Sequence, residues 1–247
     1  MKPPHQVPGT MAVETPGTRP VHVDEHLLVV DKPPGMGVQP DRAGGESLLH
    51  LWEALMPEAK LGMPHRLDRP VSGLVVFTLT TRALQGMNAL FRERKVKKTY
   101  LAIVEGLVEG SGTLTHRLHH AGGTRKSTVQ QVETRNGGKR DPAGMATLKY
   151  SVRAQGERYS LLEVVPDGGS FHQIRAQLAA FGHAIKGDVK YGARRGEPDR
   201  SIALHAWRLQ FSHPVTGENM ELQAPVPSRS IWPALWAIVE GLRDKDQ

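Results

Sequence analysis

In the stretch PHRLDRPVSGLVVF, Pro64–Phe77, three side chains able to titrate, pair or hydrogen-bond, His65, Arg66 and Asp68, are crowded directly ahead of an apolar run. An aspartate set between Arg66 and Arg69 is a charged, oriented carboxylate, the form that serves as a nucleophile or a base. The same stretch also fits an aspartate that closes a turn and pairs with an arginine. A second stretch, FHQIRAQLAAFGHAIKGDVKYG, Phe171–Gly192, puts Gln173 and Arg175 on a short helix. A glycine-punctuated return follows, carrying His183, Lys186, Asp188 and Lys190. Polar side chains at a helix start, followed by such a return, suggest the floor of a site rather than a core.

The elements that must position these groups follow from periodicity and breakers. HLLVVD reads as a buried strand stopped by Pro33, Pro34 and Gly35 and resumed briefly at Met36 to Val38. ESLLHLWEALMP has helical spacing and ends at Pro57. GLVVFTLT is a fully buried strand, and Thr80 or Thr81 caps a helix running to about Arg94. KTYLAIVEG is a further strand. Gly110 to Gly144 has little apolar rhythm and reads as hairpins and basic loops. Two strands flank Gly156; a helix follows with Ser170 and Gln173 at capping-box spacing and Gly182 at its end. A hairpin turning at Pro214 to Gly217 and an amphipathic helix from Ile231 close the chain. Trp232 and Trp236, four apart on that helix, read as packing. The expected class is α+β, a mixed, largely antiparallel central sheet with flanking helices. Residues 1–20, rich in proline, read as a flexible tail, and 21–247 as a single domain.

Composition narrows the chemistry. The 247 residues include no cysteine, which removes disulfides, thiolate metal sites, iron–sulfur clusters and a thiol nucleophile. Neither a signal-peptide pattern nor a run of about 20 apolar residues is present, so a soluble, cytoplasmic protein is expected. A net charge of +7 points to a polyanionic partner. RERKVKK, Arg92–Lys98, carries five basic residues against Glu93, dense enough to contact phosphates. HRLHH, with His116, His119 and His120, has metal-like spacing but no carboxylate beside it in sequence, so no metal site is expected.

HRLDRPVSGLVVF, together with KPPG at Lys32–Gly35, KKTYLAIVEG at Lys97–Gly106 and HQIRAQLAAFGHAIKGDVKYG at His172–Gly192, resembles the RluA family of pseudouridine synthases. The four blocks occur in the family's order. The resemblance implies that Asp68 is the essential aspartate, which attacks a target uridine so that its N1 glycosidic bond breaks and the base is rejoined through C5. It implies that Arg175 is the basic residue that salt-bridges this aspartate, and that the Tyr100 ring stacks on the uracil of a flipped-out nucleotide. Arg66 is similar to the residue that fills the gap the base leaves, and His65 to a hydrogen-bonding partner beside it. Lys32, His172 and Gln173, in the matching blocks, complete the residues expected around the substrate. The implied partner is structured ribosomal or transfer RNA, with no membrane, no cofactor and a monomeric state.

Two departures from the family's pattern bear on substrate choice more than on chemistry. Val71 stands where relatives have Thr, and Ser170 where they have Arg. Relatives with an S4-type RNA-binding domain carry it ahead of the first block; here that block begins near Leu28, so no such domain is expected, and target selection is expected to rest on basic segments such as 92–98 and 117–140. Two other readings compete. A non-catalytic RNA-binding or ribosome-assembly factor would have no need of Asp68, Tyr100 and Arg175. A carboxylate-based glycosidase would want a second acid, for which the blocks offer only Asp188.

Overall fold

In chain order the elements are β1 (Arg19–Val23), β2 (Leu27–Lys32), α1 (Leu48–Leu55), β3 (Ser72–Thr78), α2 (Thr81–Arg92), β4 (Lys97–Glu105), β5 (Ser111–His120), β6 (Ser127–Gln130), β7 (Met145–Gln155), β8 (Tyr159–Pro166), α3 (Gln173–Ala180), β9 (Leu204–Ser212), β10 (Asn219–Gln223) and α4 (Trp232–Arg243). A single 3₁₀ turn spans Val189–Tyr191 among the described residues. The structure, a computed structural model, describes residues 18–41, 44–120, 126–130 and 145–243. Most of the expected tail and the basic segments 121–125 and 131–144 lie outside the described residues. The α+β class with a mixed, largely antiparallel sheet and flanking helices is the one that forms.

The chain divides into two compact units, residues up to 97 with 206–225, and residues 98–205 with 226 onward. In the first, the strand order is β1-β2-β3-β9, with β10 paired to β9. The runs LLVV and GLVVF are apolar at every position rather than alternating, as strands covered on both faces require. Every residue of β3 is indeed buried. β2 and β3 run antiparallel with Leu27 opposite Thr78 and Lys32 opposite Gly73, so the end of β2 lies beside the start of β3, just past Asp68. Helix α2 closes one face: Ala83 and Met87 pack among Leu27, Val29, Leu74, Val76, Leu209 and Phe211. Each such buried side chain contributes about 1.5–3 kcal/mol. The helix starts where predicted, with the Thr80 hydroxyl accepting from Ala83 N at 3.2 Å. Ser47 caps α1 in the same way, from His50 N at 3.2 Å.

In the second unit the order is β4-β8-β7-β5-β6, each pair antiparallel. Helix α3 lies against β5, β6 and β8, and α4 against β7, with Trp232, Leu235 and Val239 buried. Part of the segment expected as hairpins and loops is regular strand: β5 pairs with β7 in a continuous ladder from Ser111 opposite Ser151 to Arg117 opposite Met145. The capping box expected at Ser170 does not form. Its backbone carbonyl, rather than its hydroxyl, accepts from Gln173 N at 3.0 Å, and the N-cap position is His172, in left-handed conformation at φ 53°.

At Gly73 the backbone has φ 112°, and an added Cβ would stand 2.3 Å from Ala206 O and 2.6 Å from Ala206 N of β9. No L-residue fits both the dihedral and the space. Gly73→Ala is expected to destabilise by at least about 2 kcal/mol, read as a lowered urea midpoint; an unchanged midpoint would mean that β3 and β9 do not approach this closely.

Candidate active site

The carboxylate of Asp68 sits half-exposed in a tight turn, closed by Val71 N donating to Asp68 O at 3.0 Å. The side chains before it alternate: Arg66 is exposed and Leu67 is buried, which pins the turn to the core between two polar groups. His65 is a fastener. Its Nε2 accepts from Val76 N in β3 at 2.9 Å, which places the ring proton on Nδ1, and the ring stacks on Phe91 at 4.8 Å. Gly62 and Thr78 exchange two backbone bonds at 2.8 and 2.9 Å, so the whole approach to Asp68 is laced along β3.

Beneath this turn lies Lys32. It is wholly buried, and its ammonium donates to Pro33 O at 2.8 Å, Met36 O at 2.9 Å and Arg69 O at 3.3 Å. Three acceptors match the three N–H bonds an ammonium carries. Gly35 N donates to Arg69 O at 2.8 Å, and Arg69 Nε returns a bond to Gly35 O at 2.9 Å. KPPG and LDRP are therefore two turns clamped face to face. Lys32 belongs to that clamp, buried beneath the turn with its ammonium directed at three backbone carbonyls. Burial pushes its pKa down to about 7, against the pull of the Asp68 and Asp31 carboxylates, which favour the charged form. The neighbouring Asp31 is pushed up to about 6 by burial, with Lys32 and Arg19 drawing it back.

The second unit holds the other set. Arg175, near the start of α3, is 5% exposed and makes a two-pronged ion pair with Asp188, Nε to Oδ2 at 2.7 Å and Nη2 to Oδ1 at 2.8 Å. Such geometry fixes the guanidinium plane. Both oxygens of Asp188 are engaged in it, which takes away the second acid that a glycosidase would use. His172 accepts at Nε2 from Arg175 Nη1 at 3.1 Å, so its Nδ1 donates to Tyr191 Oη at 2.8 Å. Tyr191 Oη also accepts from Ser127 N at 2.8 Å, and Phe171 stacks on the His172 ring at 3.8 Å. The contacts to Arg175, Tyr191 and Phe171 hold His172 in its uncommon backbone conformation.

Gln173 is buried, its Nε2 donating to Thr147 O at 3.0 Å, while its Oε1 has no hydrogen bond among the described residues. Tyr100 lies half-buried on β4 opposite Val164. Two residues earlier, Lys98 donates to Gly168 O, which ties the start of β4 to the loop leading into α3. Of the histidine-rich stretch, His116 Nδ1 contacts Gln177 Nε2 at 3.2 Å, and burial lowers the pKa of the ring. Sequence reasoning gave Tyr191 no role, and Asp188 only a place in the glycine-punctuated return and that of a glycosidase's second acid. The GDVKYG return that carries them was visible, but not that it folds back onto Arg175.

A family profile described as RNA pseudouridylate synthase matches residues 26–180. The chain is 31% identical to ribosomal large subunit pseudouridine synthase C of Vibrio parahaemolyticus, over 90% of this chain and 69% of that protein. It is 31% identical to tRNA pseudouridine synthase C of the same organism, over 83% of this chain and 89% of that protein. With ribosomal large subunit pseudouridine synthase D of Nitrosomonas europaea it shares 32% identity over 83% of this chain, spanning 60% of that relative's length. In fold it is similar to human RNA pseudouridylate synthase domain containing 4, with TM-score 0.71 at 23% identity over 90% and 92% of the two chains. Human RNA pseudouridylate synthase domain containing 1 gives 0.71 at 24% identity over 92% and 94%. No helix among the described residues is long and apolar enough to cross a membrane.

The Lys32 clamp predicts a signed pH dependence. Between about 7 in the fold and about 10.4 in the unfolded chain, the unfolded state binds the extra proton, so stability rises with pH across that window, and this contribution is gone once pH has fallen to about 7. Lys32→Met is expected to cost about 2–3 kcal/mol at neutral pH, by stripping a donor from buried carbonyls, and to flatten this rise. Urea unfolding of both proteins at several pH values checks it; an equal slope in the variant would place the titration elsewhere.

Proposed function

Because the chain belongs to the RluA family of pseudouridine synthases, we propose that Asp68 is the carboxylate with which it isomerises uridine to pseudouridine in ribosomal or transfer RNA. The observation that carries this reading is the clamped turn. A carboxylate that must reach one atom of one base has to be held to a fraction of an ångström, and Asp68 is anchored to β3 through His65, to the KPPG turn through Arg69, and above a buried ammonium at Lys32.

The remaining roles are proposed residue by residue from the matching motifs. Asp68 attacks the uridine, the N1 glycosidic bond breaks, the base turns and is rejoined through C5 as the carboxylate is released, and the C5 proton leaves while N1 takes one up, so the product is an isomer of the substrate. Nothing is oxidised and no group is taken from a donor, so the chemistry calls for no cofactor. Arg175 supplies the positive charge that keeps the reacting carboxylate aimed, and the engagement of its Nε and Nη2 by Asp188 supports this by fixing the direction of the guanidinium. Tyr100 stacks on the flipped uracil, which offsets part of the stacking lost from the RNA. Arg66, exposed next to the turn, fills the vacated place. His172 and Gln173 stand behind Arg175 on the RNA-facing end of α3, and the basic run 92–98 contacts phosphates. Relatives named for ribosomal and for transfer RNA match about equally well, which supports both as substrates. The proposed working form is a cytoplasmic monomer, in which residues 21–247 serve as one catalytic domain.

The test is pseudouridine mapping of total RNA from cells lacking the gene, or carrying it restored as wild type or as Asp68→Asn. A site that disappears on deletion and returns only with the wild-type copy is the expected outcome. Full restoration by Asp68→Asn, or no altered site at all, would leave the chain a non-catalytic RNA-binding member of its family, and release of free uracil would make it a glycosidase.

A further inference from the structure

Beside the Asp68 turn the first unit carries a pocket of about 180 Å³ between the segment 37–41 and the turn 66–69. Its floor is apolar, with Val38 and Leu67 both buried, and its rim is formed by Arg66, Arg69, Asp41 and Glu46. Arg69 is turned inward by its bond to Gly35 O and reaches Asp41 at 3.6 Å. Arg66 and Glu46 are different: both are exposed, and neither makes a hydrogen bond or ion pair among the described residues. Among the described residues the rim thus offers one cluster of N–H donors and one carboxylate that no other group engages.

Size and charge together select an occupant. A cavity of about 150 Å³ holds one benzene ring, so a pocket of about 180 Å³ accommodates a single-ring base. Of the single-ring bases, cytosine presents an amino group, which a carboxylate accepts, beside N3 and O2, which a guanidinium donates to. Uracil would set its O4 against the carboxylate, acceptor facing acceptor. We propose that this pocket takes a cytosine of the RNA, its N4 amino group on Glu46 and its N3 and O2 edge toward Arg66. Because Arg66 and Leu67 directly precede Asp68, that cytosine belongs to a nucleotide adjacent to the target uridine. The inference rests on the isomerase reading of Asp68 and adds to it a determinant of which uridines are modified.

The experiment uses a stem–loop transcript carrying the uridine identified by the deletion strain, made with C, U, A or G at each of the two neighbouring positions in turn. Pseudouridine formation is measured as kcat/KM for the wild type, Glu46→Gln and Glu46→Lys, with both substitutions at an exposed position. At one of the two positions cytosine is expected to exceed uracil by about ten-fold in the wild type. Glu46→Gln shrinks that ratio, and Glu46→Lys, which sets a donor against the N4 amino group, abolishes it. Equal rates with all four bases, or a cytosine preference that survives Glu46→Lys unchanged, overturns the pocket assignment while leaving the isomerase intact. Failure to form pseudouridine on any of the transcripts overturns the isomerase reading, and the pocket assignment with it.

Discussion

A buried ammonium with three carbonyls around it is the constraint on which the first unit turns. Lys32 stands at the end of an apolar strand, where a charge has no water to lean on, and its nearest relief is the backbone of KPPG, the carbonyl of Arg69 and the field of the Asp68 carboxylate. Desolvation outweighs attraction there, which is why its pKa falls to about 7 rather than staying with ordinary lysines. The carbonyls that stabilise the ammonium must all point at one spot, and two turns from distant parts of the chain can satisfy that in few ways. The conformation of the Asp68 turn is thereby coupled to the interior of the sheet.

The same logic recurs in the second unit with different groups. Arg175 is as buried as a core leucine, and Asp188 answers it with both oxygens, while His172 and Tyr191 form a chain of hydrogen bonds that sets the imidazole tautomer. Removing one member of a buried charge pair costs about 3–5 kcal/mol because the other is left uncompensated. An arrangement of this kind resists small rearrangements, and that rigidity is what a residue aimed at a reacting group requires. The left-handed backbone at His172 is the local cost, and it is borne by a residue whose ring is held on both nitrogens and one face.

Glycine at position 73 shows how such rigidity reaches the chain entering β3. Backbone of β9 passes so close that a methyl group has no place. The polar knot of the Asp68 turn and the close-packed strand after it are thus parts of one device: the strand supplies a fixed base, and the turn projects polar groups from its end.

Much of this was legible in the chain itself. The strands LLVV and GLVVF, the Thr80 cap, the hairpin near Pro214 and the family's four blocks are local patterns, carried by residue type and short spacing, and they determined the fold class and the family. What only the tertiary structure decided is long-range. Lys32 meets Arg69 across 37 positions, Arg175 meets Asp188 across 13, and Ser127 meets Tyr191 across 64. Lys32 read alone is an exposed lysine, Ser170 read alone is a helix cap, and Glu46 read alone is one acid in a loop. Burial and the pairing of polar groups are properties of the folded chain, because desolvation depends on which segments come together and not on which residues are neighbours in sequence.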